Sequence, residues 1–357
     1  MSLKVAISGA AGYIGSVLKP YLENQGYDCI GFDTGLFKDC LISENYKESI
    51  ICKDVRKISR KDLKDIDVFI HLAGIANDPF GKLDPKSVFD PVRKYTLNIA
   101  SLCKEMNIRF IFASSCSIYG KGGTTILNEE SMPNPVTPYS INKLQSENDL
   151  KSLLDNNFSP IALRLSTLFG PSPRLRLDMA VNMFVGMAMT QKRILLNSNG
   201  LQWRPFVHIM DVCKAFKQCI ALEYNNNDLL ILNVGKNENN IQVIKLVNKI
   251  KSSFNDCEVS FLSNANSKDE QEIFKDEKLQ DGVDNRTYKV SFDRIKNVCE
   301  NFQCDYSIDK GIKDLIKLFE ELPLSKKQFN SINYYRLQKL NQLYKSGLID
   351  NSLIWKN

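Results

Sequence analysis

Three residues of this chain, Ser115, Tyr139 and Lys143, have the types and spacing of an acid–base set. Tyr139 and Lys143 lie one helical turn apart in a stretch that predicts a helix, so their side chains share one face. A tyrosine with its ordinary pKa of about 10 is a poor base at neutral pH, but a nearby lysine cation stabilises the phenolate. Ser115 follows a predicted strand, Arg109–Ala113, and can hydrogen-bond the same reacting oxygen. The set predicts a base that removes the proton of a secondary alcohol while a hydride leaves.

A glycine-rich turn at the start of the chain predicts where that hydride goes. Leu3–Ile7 has the pattern of a buried strand, and the glycines that follow are Gly9, Gly12 and Gly15. The first glycine permits a tight turn, the second lets the backbone approach a pyrophosphate, and the third lets the next helix pack closely. Exposed amides at the helix start favour an anion there. We expect a dinucleotide site that includes Tyr13 and Ile14 of the same turn; a turn that binds no ligand is the alternative.

Acidic residues at the ends of the next two predicted strands favour NAD. The second strand ends at Asp33, where a carboxylate accepts hydrogen bonds from ribose hydroxyls and repels a 2′-phosphate. A surface aspartate in a loop is the alternative. The third strand, Ile50–Val55, carries Asp54, which could meet the adenine amino group, and ends at Val55. The sequence therefore predicts NAD rather than NADP.

A fourth strand is predicted at 68–74 because the run is continuously apolar, as in a parallel sheet that is covered on both faces. His71 is the polar residue of that run, and we interpret it as a hydrogen-bonded core histidine. A helix is predicted from about Val92 to Met106. The predicted cofactor contacts from this stretch are Leu72, Ala73, Gly74 and Asn98.

Alternating strands and helices between residues 3 and 165 predict an α/β fold with a doubly wound parallel sheet of the Rossmann type. We assign residues 1–165 to the NAD-binding domain, joined by about 205–235. Residues 166–204 and 236–323 are predicted to form a smaller C-terminal substrate lobe, with an irregular loop at 263–287. Residues 324–357 are predicted to be a helical appendix, helical through about Lys345, that packs on its own protein.

The composition excludes several classes of protein. The chain has 43% hydrophobic and 25% charged residues, which is ordinary for a globular protein, and no run approaches the ~20 apolar residues of a membrane span. Its net charge of +6 is scattered, so neither nucleic acid nor a membrane is expected as a partner. With two histidines and no C-x-x-C pair, no metal site is expected. The ten cysteines, without a preceding secretory signal, predict free buried thiols and a cytoplasmic protein.

Several motifs together resemble the extended short-chain dehydrogenase/reductase superfamily, in its NAD-dependent nucleotide-sugar epimerase/dehydratase branch. The similarity runs through nearly the whole chain. The segments that carry it are Gly9–Gly15, His71–Gly74, Ser114–Gly120, Asn134–Lys143, Thr167–Pro173 and Arg204–Val212.

The resemblance implies a bound NAD, a nucleoside-diphosphate sugar held by the C-terminal lobe, and a homodimer formed through a four-helix bundle. It places Ser115 at the catalytic serine position, four residues before Tyr119. It also places Arg204 where the family has an arginine that contacts the diphosphate. We interpret His208 as a structural residue, although it lies in one of the motifs. The further substrate contacts it suggests are Thr167, Asn182 and Arg286.

Two departures from the family pattern narrow the expected reaction. The 4,6-dehydratases carry Asp and Glu directly after the catalytic Ser/Thr, whereas this chain has Cys116 and Ser117, so no acid–base pair for elimination is present. Members that epimerise by enolisation have a cysteine two residues after that serine, so Cys116 is interpreted as a packed thiol. We therefore expect an NAD-dependent epimerase acting at C4 of a nucleotide sugar. The alternatives are a nucleotide-sugar 4-dehydrogenase or ketoreductase with the same residues and, less expected, a dehydratase or a non-catalytic NAD-sensing regulator.

Overall fold

The computed structural model describes residues 2–42, 50–76, 85–224, 226–261, 286–300, 302–322 and 324–356. Its strands, in chain order, are β1 (Lys4–Ser8), β2 (Asp28–Asp33), β3 (Ile50–Cys52), β4 (Val68–His71), β5 (Arg109–Ser115), β6 (Lys121–Leu127), β7 (Ile161–Leu165), β8 (Thr167–Phe169), β9 (Arg193–Leu196), β10 (Trp203–His208), β11 (Leu230–Val234), β12 (Asn240–Gln242), β13 (Glu258–Phe261) and β14 (Thr287–Val290).

The helices surround these strands and continue past the last of them. They are α1 (Gly15–Glu23), α2 (Pro85–Glu105), α3 (Pro138–Lys151), α4 (Ala180–Gln191), α5 (Ile209–Ala221), α6 (Val243–Lys251), α7 (Asp293–Val298), α8 (Ile308–Glu321), α9 (Lys326–Phe329) and α10 (Arg336–Lys345).

A seven-stranded parallel sheet organises the first half of the chain. Its order is β11-β7-β5-β4-β1-β2-β3, and every neighbouring pair is parallel. Both faces are covered, since Val5 and Ile7 of β1 join the apolar cluster beside α1 and α5 while Ala6 joins the cluster beside α2 and α3. The predicted α/β class with a doubly wound sheet is confirmed. The strand order reverses between β1 and β4, and ligands of such sheets bind in the crevice at that point.

The helix after β4 differs from its prediction. It begins at Pro85 rather than near Val92, so the helix starts seven positions earlier and ends near the predicted place. The helix that carries Tyr139 matches its prediction at the start. Thr137 caps it by accepting a hydrogen bond from the Ser140 amide (3.2 Å), and the Ser140 hydroxyl accepts one from the Thr137 amide (3.0 Å).

Smaller sheets form the second layer of the molecule. Strand β10 lies between β8 and β12, β9 pairs with β13, and β6 pairs with β14. Within 205–235, α5 packs against α1 and β11 joins the edge of the large sheet. The predicted irregular loop at 263–287 lies outside the described residues except at its last two positions.

The C-terminal segment, residues 324–356, is less regular than predicted. Its helical content is divided between α9 and α10, because Ser331 caps a short turn at 332–334 and Tyr335 is extended. Four of its leucines, Leu337, Leu340, Leu343 and Leu353, belong to an apolar cluster with the loop after β2 and the start of α2. The segment therefore packs on its own protein, as predicted, and it does so beside the carboxyl ends of the strands.

Other expected features concern the whole chain. No described helix combines the length and apolar character needed to cross a membrane. All ten cysteines are in the described part of the chain, and none forms a disulfide.

Candidate active site

A first cleft runs along the carboxyl ends of β1, β2, β4 and β5. It is lined by nearly all the residues predicted for catalysis and for the cofactor: Gly9, Gly12, Tyr13, Ile14, Gly15, Asp33, Asp54, Val55, Leu72, Ala73, Gly74, Ser115, Tyr139 and Lys143. The sheet brings these residues together because parallel strands present their carboxyl ends at one edge.

The glycine turn forms a tight cradle at one end of the first cleft. Gly9 has a φ of +73°, and a Cβ there would lie 2.9 Å from the Ala73 nitrogen. A Cβ on Gly15 would lie 2.4 Å from the carbonyl oxygen of Gly9. Side chains at these positions would separate the turn from the strand ends and from α1. The close backbone packing leaves the amide-bearing turn open to the cleft, which fits the pyrophosphate of a dinucleotide.

Asp33 is placed as a dinucleotide site requires. Its carboxylate accepts hydrogen bonds from the amides of Gly35 (2.8 Å) and Ala11 (3.1 Å), and it lines the first cleft. Burial raises the pKa of Asp33, and the two amides oppose that rise. Two amides leave further lone pairs of the carboxylate for ribose hydroxyls. A carboxylate with free acceptor sites at this place fits the ribose of NAD.

Asp54 also lines the first cleft, but its carboxylate already has a partner. It accepts hydrogen bonds from the Arg56 amide (2.9 Å) and from the Arg56 side chain, to which it is ion-paired. Contact of Asp54 with adenine stays a prediction.

Tyr139 and Lys143 are held by the first turns of α3. The Lys143 ammonium donates a hydrogen bond to the carbonyl oxygen of Ala113 (2.6 Å) and lies 5.9 Å from the centre of the Tyr139 ring. Burial lowers the pKa of Lys143 to about 8, against the attraction of Glu147, which raises it. The lysine is thus a buried, desolvated cation beside the tyrosine, which is the arrangement that the spacing predicts.

Ser115 ends β5 and caps the turn that follows. Its hydroxyl oxygen accepts a hydrogen bond from the Ser117 amide (3.1 Å) and retains its own proton for donation. Ser115 and Tyr139 line both the first cleft and a second cleft. They therefore form the wall at which ligands of the two clefts would meet.

The second cleft is rich in arginine. It is lined by three of the predicted substrate contacts, Thr167, Arg204 and Arg286. Arg176 lines both clefts and pairs with Asp178 (2.8 Å). Guanidinium groups bind phosphate oxygens bidentately, so this surface suits a diphosphate.

Arg204 is fixed on the wall of the second cleft. Its guanidinium donates to the carbonyl oxygens of Trp203 (2.9 Å) and of Arg286, and it lies 5.6 Å from the centre of the Tyr288 ring. These contacts orient the guanidinium before any ligand enters. The neighbouring Arg174, part of the same basic loop as Arg176, is buried elsewhere and donates to the carbonyl oxygen of Asn333 (2.9 Å).

Two predicted site residues lie away from the clefts. Asn98 is exposed on α2, whereas Val92 and Tyr95 of the same helix line the first cleft. Asn182 is fully buried and does not line the second cleft. Its amide accepts from the Gly170 amide (3.0 Å) and donates to the Arg176 carbonyl (3.0 Å), so it supports the loop that carries Arg176.

The residues after Ser115 are placed as their types predict. Cys116 is fully buried, its thiol donates to the Arg164 carbonyl (3.1 Å), and burial raises its pKa to about 12. It is a packed thiol. Ser117 is buried and lines the second cleft, and its hydroxyl has no hydrogen-bond partner in the described part of the molecule. Neither group is an acid at neutral pH.

Both histidines have structural surroundings. His71 contacts the hydroxyls of Ser8 (2.8 Å) and Thr96 (3.0 Å), and burial lowers its pKa to about 3. His208 caps α5 by accepting from the Met210 amide (3.3 Å), and burial lowers its pKa to about 3 as well. These contacts are those of structural residues, in keeping with the interpretation of both histidines.

Residues of the C-terminal segment line the clefts, and no sequence motif indicated this. Arg336 lines both clefts, and Ser352 and Leu353 line the first. A polar helical pattern after residue 324 shows only a surface helix, with no motif that marks one arginine as a ligand. Contact over such sequence distances is set by tertiary packing alone.

Fold and site together define a dinucleotide-binding oxidoreductase fold with a tyrosine–lysine–serine set. The model of the NAD dependent epimerase/dehydratase family matches residues 5–235. An uncharacterised UDP-glucose epimerase of Bacillus subtilis (strain 168), YtcB, is 26% identical over 270 residues, which is 70% of this chain and 82% of that protein.

Two solved structures share the fold. UDP-glucuronic acid 4-epimerase from Bacillus cereus, in complex with UDP-glucuronic acid and NAD, superposes with a TM-score of 0.69 at 22% identity, covering 90% of this chain and 100% of the other. TunA, an NAD-dependent NDP-hexosamine 5,6-dehydratase involved in tunicamycin biosynthesis, superposes with a TM-score of 0.70 at 18% identity, covering 90% and 98%.

The chain therefore belongs to the NAD dependent epimerase/dehydratase family. Its cofactor is NAD, in agreement with the prediction from the glycine turn and Asp33. The resemblance to extended short-chain dehydrogenases/reductases is confirmed, and both epimerases and dehydratases share the fold.

Proposed function

We propose that this protein is an NAD-dependent epimerase acting at C4 of a nucleoside-diphosphate sugar. One observation carries the proposal: Ser115 and Tyr139 form the wall shared by an NAD-fitting cleft and an arginine-rich cleft. A sugar bound by its diphosphate in the second cleft would present a ring hydroxyl to this wall.

Tyr139 acts as the base. Its phenolate oxygen takes the proton of the C4 hydroxyl, and Ser115 donates a hydrogen bond to the same sugar oxygen. The Lys143 cation lies beside the ring and favours the phenolate. Bound NAD would supply the acceptor and the donor of the C4 hydride. After the sugar turns, Tyr139 gives the proton back to the oxygen, so the product has the same composition as the substrate.

Rotation of the 4-keto sugar requires an anchor that is not part of the ring. Arg204 and Arg176 supply that anchor at the diphosphate, with Arg286 and Thr167 as further contacts. Because Arg204 is already fixed by backbone carbonyls, it can hold the diphosphate through both hydride transfers.

The residues after Ser115 support epimerisation over elimination. Removal of water needs an acid for the departing hydroxyl and a base for the neighbouring C–H bond. Cys116 is sealed in the core with its pKa raised to about 12, and Ser117 is neutral. This chain thus offers the redox set without an elimination pair.

We also propose that the protein is cytoplasmic and forms a homodimer through a four-helix bundle. Helices α2 and α3 lie side by side in the monomer, so a second copy could add the same pair. Sedimentation equilibrium tests this directly: a monomer at micromolar concentration would contradict the dimer.

The function is tested by incubating the purified protein, without added cofactor, with a panel of nucleotide sugars that differ in base and sugar. Proton NMR and absorbance of reduced nicotinamide are read together. A C4 epimer of unchanged mass, without accumulating NADH, supports the proposal. A keto sugar with NADH would support the dehydrogenase, loss of water would show that a dehydratase works without the expected acids, and no turnover of any sugar would favour a regulator.

A further inference from the structure

We infer that the C-terminal segment completes the NAD site, with Arg336 binding the NAD pyrophosphate. The family model ends at residue 235, so this segment lies outside the part of the chain that the family defines. The inference concerns the cofactor and stands whether or not the reaction is an epimerisation.

Arg336 lies where the two clefts meet. It starts α10, and its guanidinium donates a hydrogen bond to the carbonyl oxygen of Gly74 (3.0 Å), just beyond β4. It also lies 5.1 Å from the centre of the Phe37 ring, in the loop after β2. Both partners belong to the loops that surround the first cleft, so the guanidinium is held at the cofactor's edge of the sheet.

No carboxylate among the described residues forms a salt bridge with the guanidinium of Arg336, whose polar contact there is a neutral carbonyl. Burial and the neighbouring cations of Arg176 and Arg174 together lower the pKa of Arg336 to about 9, while Asp178 and Asp33 act in the opposite sense. A guanidinium kept in a desolvated place among other cations is costly unless a ligand supplies negative charge.

The pyrophosphate of NAD is the anion that the position favours. Arg336 shares the first cleft with the glycine turn, where the amides of the turn and the start of α1 favour phosphate. The planar guanidinium can bind two phosphate oxygens at once. The diphosphate of the other ligand already has Arg204 and Arg286 in the second cleft.

The segment is attached firmly enough to serve as a wall. Leu337, Leu340 and Leu343 of α10 are buried in a cluster that contains Phe37 and that Tyr139 packs against. This apolar contact places the segment against the catalytic tyrosine as well as the cofactor loops.

Polar contacts fasten the end of the segment. The Arg56 guanidinium donates to the Ser352 carbonyl (2.8 Å), and the Trp355 indole donates to the Thr34 carbonyl (2.7 Å). Lys339 pairs with Asp39 (2.6 Å). These contacts connect the segment to the loops after β2 and β3.

The test compares Arg336→Gln with Lys345→Gln, which removes the same charge from an exposed position of the same helix. Binding of NAD and of ADP-ribose to nucleotide-free protein is measured by isothermal titration calorimetry. We expect Arg336→Gln to weaken both ligands roughly 10- to 100-fold, the size of a lost charged hydrogen bond. We expect Lys345→Gln to leave both unchanged and Arg336→Lys to fall between.

Thermal unfolding separates this role from a merely structural one. Without NAD, Arg336→Gln should keep the melting temperature or raise it, because a cation without an anion is removed. With NAD, the variant should gain less stability than the wild type. Unchanged NAD affinity in Arg336→Gln would overturn the inference, and so would weaker UDP binding with unchanged NAD affinity. If Arg336→Gln fails to fold, the Arg336→Lys titration decides by the same criteria.

Discussion

The two clefts that share Tyr139 are built in different ways. The first is assembled mainly from the ends of neighbouring strands and the loops just after them, with further residues from α2, α3 and the C-terminal segment. The second draws cations from separate elements, with Arg176 before α4, Arg204 in β10 and Arg286 before β14. The first cleft therefore depends mainly on the large sheet, and the second depends on how the smaller sheets of the second layer pack against it.

This difference separates a general function from a specific one. Under the proposed function, the first cleft holds the cofactor and the groups for proton transfer, whatever the sugar is. The second cleft would hold the diphosphate ligand and limit how far the sugar can turn. Changes in the two clefts should therefore have separable effects on chemistry, cofactor binding and substrate binding.

The largest effect is expected where the clefts meet. Replacing Tyr139 with Phe removes the base while keeping the ring, so kcat should fall roughly 10²- to 10⁴-fold. NAD affinity should stay within a few-fold of wild type because the ring still packs against the C-terminal segment. Single-turnover kinetics and NAD titration measure both. Unchanged turnover would remove Tyr139 from the catalytic role and favour a regulator.

The next effect tests the first cleft alone. In Gly15→Ala, the new Cβ would lie 2.4 Å from the Gly9 carbonyl oxygen, so the turn must shift. Such overpacking costs roughly 1–3 kcal/mol of stability, and the displaced turn should weaken NAD binding at least tenfold. Denaturant unfolding and NAD titration check both.

A matched control for that substitution is Gly26→Ala. Gly26 has a φ of +88° with no atom within 4 Å of an added Cβ, so alanine costs backbone strain without a clash. Its NAD affinity should equal that of the wild type. If Gly15→Ala bound NAD as tightly as the wild type, the NAD site would not depend on the close packing of the glycine turn.

The second cleft is tested by Arg204→Gln. Losing a charged contact to the diphosphate should raise the substrate KM roughly 10- to 100-fold, with NAD affinity unchanged. Arg60→Gln, at an exposed arginine paired with Glu105, is the control and should alter neither. A parallel loss of NAD affinity in Arg204→Gln would mean that the two clefts are not separable.

The smallest expected effect is a loss of stability at acidic pH to which one histidine of each layer contributes. His71 and His208, one in each layer, have their pKa lowered to about 3, so both stay neutral in the fold when the unfolded chain takes up protons below pH 6.5. Stability should therefore fall as pH drops below 6.5, by about 1 kcal/mol per histidine at pH 5.5.

Variants of one histidine isolate its share of this pH dependence. Urea unfolding of His71→Gln at pH 7 and pH 5.5 should show a smaller loss than the wild type. The comparison is needed because Asp211 acts in the opposite direction. Burial raises the pKa of Asp211 to about 6, so its protonation in the fold increases the free energy of unfolding as pH falls from 6 to 4. An identical loss in the variant would contradict a neutral His71.

The sequence predicted the first cleft well because its signals are local. The glycine turn, Asp33 and the Tyr139–Lys143 spacing each lie within one strand–turn–helix unit, where residue type and backbone geometry determine each other. Asn98 is exposed on α2 and does not line the first cleft, which the apolar periodicity around it did not show.

The contribution of Arg336 could not be predicted for a different reason. It meets Gly74 across 262 positions of the chain, and no periodicity or turn chemistry reports such a contact. Asn182 is the opposite case, a residue predicted for the site that does not line it. Its side-chain amide is already hydrogen-bonded to the backbone of the folded loop, which the sequence does not show. Long-range packing decides both cases.

The central claim is that a hydride leaves C4 and returns to the same carbon within one binding event. It is tested most directly by giving the enzyme its nucleotide sugar with deuterium at C4 and following the product by proton NMR and mass spectrometry. We expect a C4 epimer that keeps the deuterium at C4, without exchange with solvent. Loss of the deuterium to free reduced cofactor, exchange with water, or a product lighter by one water would contradict it.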